Sequence, residues 1–307
     1  MTKKKYNNVI ILAGPTAGGK SSLGKYLAKD FNGVVINADS MQLYKNLPIL
    51  TSQPTNEDKK QIPHKLYSFF EASEISNAAI WRDLAILNIN NSIKKNKTPI
   101  LVGGTGLYLE FLYKGMTNIP NIPLHIRKEV EKNIKKRGLG FIYNLLVNVD
   151  PSVKNNLDKH DTQRISRMWE VYTYTGITFT KWIDKKKITN NFNFIKVLLM
   201  PERDIIRKSC SDRFNLMIEK GLKKEIEINR TKVENTRLSK AIGYRQICDF
   251  LDGKIELNQA IEKSIALTRQ YAKRQSTWFK NRYEPELKIK ELNTNKSFLK
   301  EFKLFFK

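Results

Sequence analysis

Cysteine is almost missing from this chain: Cys210 and Cys248 are the two that its 307 residues contain. They lie far apart and neither belongs to a C-x-x-C pair, which excludes a disulfide framework and a zinc finger and fits a reducing compartment. Histidine is as scarce, and His64, His125 and His160 are too scattered to form a ligand cluster. No apolar run approaches the ~20 residues that a membrane span needs. The basic N-terminus enters a strand-like run at Val9 with no signal-peptide core or cleavage site, so a cytoplasmic protein without membrane contact is expected. Acidic residues are in deficit, 30 against 55 Lys and Arg, for a formal net charge of +25. That imbalance favours a polyanionic partner, nucleic acid ahead of membrane because no amphipathic or apolar anchor is visible. The abundance of Lys, Asn and Ile along the whole chain is a plainer source for the same charge.

What is present begins with the apolar run Val9–Ala13 and the segment Gly14-Pro15-Thr16-Ala17-Gly18-Gly19-Lys20-Ser21 directly after it. The segment fits G-x-x-x-x-G-K-[ST], a loop between a buried strand and a helix whose backbone N–H groups surround a phosphate. The ammonium of Lys20 reaches phosphate oxygens there, and the Ser21 hydroxyl can hold Mg²⁺. Ser22–Ala28 reads as the first turns of the helix that such a loop requires. The pattern predicts a site for a di- or triphosphate.

Hydrophobic content of 40% and charged content of 28% are globular values. Four short apolar segments read as buried parallel strands: Val9–Ala13, Val34–Asn37, Pro99–Val102 and Ile195–Met200, with Leu66–Phe70 as a fifth. Helical patterns lie between them, notably Ala78–Lys95 with apolar positions at Ile80, Leu84, Leu87 and Ile93. This alternation predicts an α/β fold, a P-loop parallel sheet with helices on both faces. The rhythm breaks after Gly115, where Met116–Pro123 reads as a linker and helical patterns without strands follow through about Trp182. The expected division is therefore 1–115 with 195–307 as the P-loop core and C-terminal helices, and 116–194 as a mainly helical insertion. The clearest of the late helices is Leu257–Arg282.

Three further constellations can carry chemistry. The second strand ends in Asn37-Ala38-Asp39-Ser40-Met41-Gln42, and a ligand binds outside the carboxyl ends of such strands, which turns Asp39 toward the P-loop. A carboxylate there can coordinate Mg²⁺ or act as a general base; an Asp-Ser pair also suits a helix N-cap, and the spacing leaves both open. The third strand ends in Gly103-Gly104-Thr105-Gly106, where glycines allow close backbone approach and Thr105 can bond to a phosphate or base, unless this is an ordinary strand-to-helix turn. Neither strand shows the apolar-run-then-Asp arrangement of an ATPase metal site. In Gln163-Arg164-Ile165-Ser166-Arg167, two arginines three residues apart share a helical face and suit phosphate oxygens, although a solvated face has the same spacing. The segment Thr268–Arg282 holds five basic residues and no acidic one. Arg269, Lys273 and Lys280 form one stripe, with Arg274 next to it, and Tyr271, Gln275 and Trp278 form the neighbouring one. Such a helix can pack by its rings and lay its charges on a nucleic-acid backbone.

Taken together, these segments resemble the tRNA dimethylallyltransferases, or tRNA isopentenyltransferases, of bacterial type. The matching pieces are GPTAGGKSSL at 14–23, NADSMQLYKNLPI at 37–49, IPHKL at 62–66 and LVGGTGLYLEFLYKG at 101–115, then QRISRMWEVYTYTG at 163–176, AIGYRQI at 241–247 and TRQYAKRQSTWFKN at 268–281. They keep the family's order over almost the whole chain. The P-loop alone is unspecific; DSMQLY, GGTGLY and TRQYAKRQSTWF together are highly specific.

The resemblance implies transfer of a dimethylallyl group from its diphosphate to N6 of the adenosine just 3′ of the anticodon of a tRNA. It implies that the P-loop (Gly14, Thr16, Ala17, Gly18, Gly19, Lys20 and Ser21), with Arg167, holds the prenyl diphosphate rather than ATP; Ser21 and Asp39 are the candidate Mg²⁺ ligands, and the sequence leaves open whether one or both touch the ion. Asp39 would accept the N6 proton, with Lys20 and Thr105 completing the catalytic set. Ser40, Met41 and Gln42 would contact the flipped base. Thr105, Arg127, Gln163, Arg164, Ile165, Ser166 and Arg167 would contact tRNA, as would Arg269, Lys273 and Arg274 on the basic helix. The anticodon arm and dimethylallyl diphosphate are the implied partners of a monomer. The chain departs from the family at Leu50-Thr51-Ser52-Gln53-Pro54, where G-T-A-K-P is common, at Lys65, where a second histidine is common, and at Met168-Trp169, where smaller residues are common. The rival readings are prenyl transfer to free AMP or ATP, a small-molecule kinase and a non-catalytic RNA-binding protein.

Overall fold

All five residues from Val9 to Ala13 are fully buried, as expected for a central strand covered on both faces. The computed structural model describes residues 8–185, 187–291 and 302. The chain divides into two units, Met1–Tyr113 with Asn190–Lys307, and Lys114–Thr189.

The first unit opens with β1 (Asn8–Ala13), α1 (Lys20–Asp30), β2 (Gly33–Asn37), α2 (Asn56–Gln61), β3 (His64–Lys65), α3 (Ala78–Lys94), β4 (Thr98–Gly103) and α4 (Gly106–Tyr113). The second unit contributes α5 (Leu124–Arg137), α6 (Leu139–Val149), α7 (Val153–Asn156), α8 (Thr162–Thr175) and α9 (Phe179–Ile183). The first resumes with β5 (Asn193–Leu199), α10 (Arg203–Glu219), α11 (Leu222–Val233), α12 (Tyr244–Leu251), α13 (Leu257–Arg282) and β6 (Leu287–Ile289). Among the described residues the strands form one six-stranded sheet, ordered β3-β2-β4-β1-β5-β6, with every pair parallel.

Strand alternation sorts the core into two layers. Val9, Ile11 and Ala13 join Val34, Ile36 and Leu101 on one face, covered by α3, α4 and the late helices through Trp81, Leu109, Phe214, Ile247 and Phe279. Ile10 and Leu12 join Val35, Ile100 and Val197 on the other, covered by Leu23 and Leu27 of α1. The α1 helix lies close to the sheet because residue 24 is glycine: a Cβ there would sit 2.8 Å from the Val102 side chain.

The P-loop α/β fold is the one expected, but three local expectations need correction. The ladder of β3 covers only His64–Lys65; Leu66 (φ 62°) and Ser68 (φ 48°) turn left-handed, so 66–70 leaves the sheet and Phe70 makes a single bridge to Tyr44. The sixth strand, Leu287–Ile289, is too short and too polar to stand out in the sequence. In α3 the buried face carries Ala78, Trp81, Arg82, Ala85, Ile89 and Ser92, while Ile80 and Leu87 are exposed. The face is set by Trp81, whose Nε1–H donates to the Asn37 carbonyl at 2.8 Å and whose ring stacks on Tyr108 at 4.9 Å.

The helical unit has its own small core of Ile142, Leu146, Val153, Leu157 and Ile165. Its two ends meet in an antiparallel bridge between Met116 and Ile188. Asp150 ties α6 to the later turns by accepting from the Ser152 hydroxyl at 2.6 Å and from the Thr180 hydroxyl.

Because Trp81 supplies a buried donor at the end of β2, Trp81→Phe should leave the Asn37 carbonyl without its partner and cost about 1–3 kcal/mol. Urea denaturation of the two proteins measures this directly; equal midpoints would show that the bond contributes nothing net.

Candidate active site

Residues 14–19 leave β1 and turn into α1 at Lys20. Gly14 is demanded by close approach, since a Cβ there would lie 2.2 Å from the Leu199 carbonyl oxygen of β5. Gly19, the N-cap, has φ 87° and offers no side-chain cap to the helix, whose first turn also lacks an acidic residue. The N-terminal N–H groups and the positive end of the helix dipole are thus left for an anion. Lys20 folds back so that Nζ donates to the Pro15 carbonyl at 2.6 Å. Burial pulls its pKa down from 10.5 to about 8, against the upward effect of Asp39, with Arg213 pushing down as well.

Asp39 follows β2 and is oriented by its predecessor. The buried Asn37 side chain accepts from the Asp39 N–H at 2.8 Å and donates to the Asp39 carbonyl at 2.9 Å, and the same amide donates to Leu66 O at 2.9 Å. Asp39 Oδ1 accepts from the Met41 N–H at 2.9 Å. The carboxylate therefore caps its own turn through one oxygen, with no helix following, while standing in the wall of the P-loop cavity. The phenols of Tyr67 and Tyr271 are pushed up first by burial and then by the charge of Asp39.

The cavity is about 270 Å³, and its wall runs from Thr16 to Ser22, with Asp39, Gln42, Thr51, Ser52, Val102, Gly103, Ser209 and Arg213. Gly18, Gly19, Lys20 and Ser21 meet Asp39 there. Ser40, Met41 and Thr105 are not part of that wall. Thr105 instead ties two turns together: its N–H donates to Ala38 O at 3.3 Å and its Oγ1 accepts from the Ser40 N–H at 3.1 Å. Gln42 uses its amide to hold the opposite wall, donating to Thr51 O at 2.8 Å and Ser52 O at 3.1 Å.

The departures at 50–53 have structural partners. Leu50 is buried, and Gln53 bridges Tyr44 O (2.7 Å) and the Ser68 hydroxyl (2.6 Å). The segment is anchored from α11 by Glu225, which accepts from the N–H groups of Ile49 at 2.6 Å and Leu50 at 2.9 Å. Burial raises the pKa of Glu225 although both bonds act to lower it.

Several residues of the site were not picked out in the sequence. Arg213 of α10 lines the cavity and donates from Nη1 to Thr16 Oγ1 at 2.8 Å; burial lowers its pKa and Asp39 counteracts that. Ser209 and Glu225 belong with it. Their helices carry cations and carboxylates on every side, so no pattern marks these positions against Arg203, Arg207 or Glu227. Gln275 was visible only as part of a stripe.

The other sequence candidates lie elsewhere. On α13, Arg269 is not a free cation: Nη2 donates to Ser211 Oγ at 2.8 Å and Nε to Arg207 O at 3.3 Å, which pins the helix to α10. Lys273 and Arg274 are exposed and border a shallow surface groove with Gln270 and Thr277. Arg127 and Gln163–Arg167 belong to the helical unit. There Ile165 is fully buried in the small core, which removes its side chain from any RNA surface. Arg164 pairs with Asp161 and Arg167 with Glu170, both at 3.4 Å; Ser166 donates to Thr162 O at 2.7 Å. Arg127 Nη2 reaches Asn121 at 3.4 Å. Among the described residues no helix is long and apolar enough to cross a membrane.

The chain is similar to known proteins over most of its length. The family model described as IPP transferase matches residues 42–282. The tRNA dimethylallyltransferase of Pelagibacter ubique (strain HTCC1062) is 38% identical over 288 residues, which cover 93% of this chain and 92% of that protein. The enzyme of the same name from Rickettsia canadensis (strain McKiel) is 38% identical over 293 residues, covering 94% and 90%. Among solved structures, the tRNA isopentenylpyrophosphate transferase of Bacillus halodurans superposes with a TM-score of 0.70 at 29% identity, covering 98% of this chain and 96% of that one. A eukaryotic dimethylallyltransferase acting on tRNA gives a TM-score of 0.82 at 29% identity, covering 95% and 77%. With a family match over most of its length and relatives this similar from end to end, the chain belongs to the IPP transferase family.

Proposed function

We propose that this chain is an enzyme that transfers a dimethylallyl group from dimethylallyl diphosphate to N6 of adenosine 37, next to the anticodon of tRNAs. The products are N6-(dimethylallyl)adenosine and diphosphate. The observation that carries this reading is that one cavity holds the P-loop, two cations (Lys20 and Arg213) and one carboxylate, Asp39. An anionic leaving group and a base for the amine each have a place in it.

An exocyclic adenine amine is a weak nucleophile. Asp39 accepts its hydrogen bond and then its proton as N6 forms a bond to C1 of the prenyl group and the C1–O bond breaks. The electron pair of that bond leaves with the diphosphate. Lys20, Arg213 and the N-terminal N–H groups of α1 stabilise the growing charge, in a setting where burial strengthens each contact. The base must leave its stack, at a cost of a few kcal/mol that is smaller in a loop than in a duplex.

Asp39 and the exposed hydroxyl of Ser21 suit Mg²⁺, which binds through one or two carboxylates plus substrate phosphates and water. No larger set of acidic, His or Cys ligands stands among the described residues. Ser21 and Asp39 would hold the ion, and it would neutralise charge on the diphosphate. On this reading Lys273 and Arg274 on α13 contact backbone phosphates of the anticodon arm; within the helical unit Arg127, Gln163, Arg164, Ser166 and Arg167 are separate candidates for tRNA, and Arg167 is also a candidate for the diphosphate. Affinity of this kind falls steeply with salt. The chain acts as a monomer on this reading.

The deciding experiment incubates the protein with Mg²⁺, labelled dimethylallyl diphosphate and unmodified tRNA, with free AMP in a parallel tube. Label should enter the tRNA alone and vanish when adenosine 37 is replaced by guanosine; label in AMP would overturn the tRNA assignment. Asp39→Asn keeps the bond to the Met41 N–H but removes the base, so kcat should fall ~10²–10⁴-fold while the tRNA Kd holds. Unchanged turnover would reduce Asp39 to a turn cap.

The lowered pKa of Lys20, about 8, sets a pH dependence. The ammonium is present below that pH and lost above it, so the Kd for dimethylallyl diphosphate should weaken by up to ~10-fold per pH unit above about 8. Lys20→Met should bind weakly at every pH and lose this dependence. Parallel curves for the two proteins would take Lys20 out of the diphosphate contact.

A further inference from the structure

Thr16 is held from outside the P-loop at two atoms. Its Oγ1 accepts from Arg213, and its N–H donates to Gln275 Oε1 of α13 at 2.8 Å. The other end of the same amide donates from Nε2 to Gly104 O at 2.8 Å. Gln275 is 6% exposed, so both groups it satisfies would be left without partners in a buried setting if it were removed.

One side chain thus spans the loop after β1 and the turn after β4. A neutral amide is the group for this task, because it carries an acceptor and a donor at a fixed separation. A carboxylate would set an oxygen against the Gly104 carbonyl, and a thioether would serve neither. The fit also depends on residue 104 being glycine: a Cβ there would lie 2.4 Å from Gln275 Nε2. The Thr16 N–H, which a P-loop could otherwise aim at phosphate, is committed to α13. The Gly18 N–H is likewise spent, on Pro15 O at 3.2 Å, while Gly19, Lys20, Ser21 and Ser22 continue the cavity wall.

We propose that Gln275 is a positioning residue for the diphosphate: by clamping Thr16 to Gly104 it fixes the P-loop conformation in which the later N–H groups and Lys20 converge on the leaving group. This rests on the reading of the cavity as a diphosphate site. Lys273 and Arg274 lie two and one residues before Gln275 on the exposed side of the same helix, so damage to the helix itself would show as lost RNA affinity.

The test uses three variants of the full chain, with inorganic diphosphate as the probe in calorimetry and unmodified tRNA in a separate binding assay. Gln275→Met removes both bonds, Gln275→Glu keeps the acceptor for Thr16 but opposes Gly104, and Gly104→Ala pushes the amide aside from the other end. Each should weaken diphosphate binding about 10- to 100-fold, the range expected for buried bonds left unmade, with tRNA affinity within about twofold and KM for the prenyl donor raised. Equal loss of both affinities, or a diphosphate Kd unchanged in variants that still bind tRNA, would overturn the positioning role. If the unaltered protein fails to bind diphosphate, the reading of the cavity itself fails.

Discussion

The site depends on the parallel pairing that brings β1, β4 and β2 to an end at the same level. Ala13 is opposite Gly103, and Val102 is opposite Asn37, so the three following turns emerge side by side at one sheet edge. A parallel sheet places every such turn at its carboxyl end. The turns are then stitched to one another: Thr105 to Ala38 and Ser40, and Thr16 to Gly104 through Gln275. The burial of β1 on both faces is what makes the register unambiguous, because a slip by one residue would exchange its two apolar layers.

Electrostatics then divides the cavity. Lys20 and Arg213 are both lowered by burial and both sustained by Asp39. Their present hydrogen-bond partners are neutral, the Pro15 carbonyl and the Thr16 hydroxyl, and Asp39 supplies the negative charge beside them. The wall opposite the P-loop is held by neutral bonds from Gln42 and by Glu225, whose carboxylate is spent on the N–H groups of Ile49 and Leu50. The cations of the cavity and the supports of its opposite wall are therefore different groups.

Local signals were legible and distant ones were not. The P-loop could be read because glycine positions, lysine and hydroxyl all lie within eight residues whose order reports their geometry. The alternation of apolar runs with helical patterns led to the α/β sheet for the same reason. Arg213 and Gln275 escaped because each meets Thr16 across more than 190 residues of chain, a separation no periodicity records. On α8, helical spacing put Ile165 on a basic segment but could not say that its side chain turns into a core. On α13, Arg269 looked equivalent to Lys273, and only the approach of α10 distinguishes them. In α3, aliphatic residues marked one face, yet the indole of Trp81 and its bond to Asn37 chose another.

The amino-acid order alone determined the strand-loop-helix unit, the P-loop pattern of residues 14–21, the positive charge and the family resemblance, because each is written in contiguous residues or in composition. Tertiary structure decided which cations serve the cavity and which are tied up in packing. It also decided that Asp39 both caps a turn and faces the P-loop, and that a glutamine from a late helix holds that loop in shape. The physical reason is the same throughout. Hydrogen-bond partners and desolvation are properties of where the chain returns to itself, and a linear pattern carries no record of those returns.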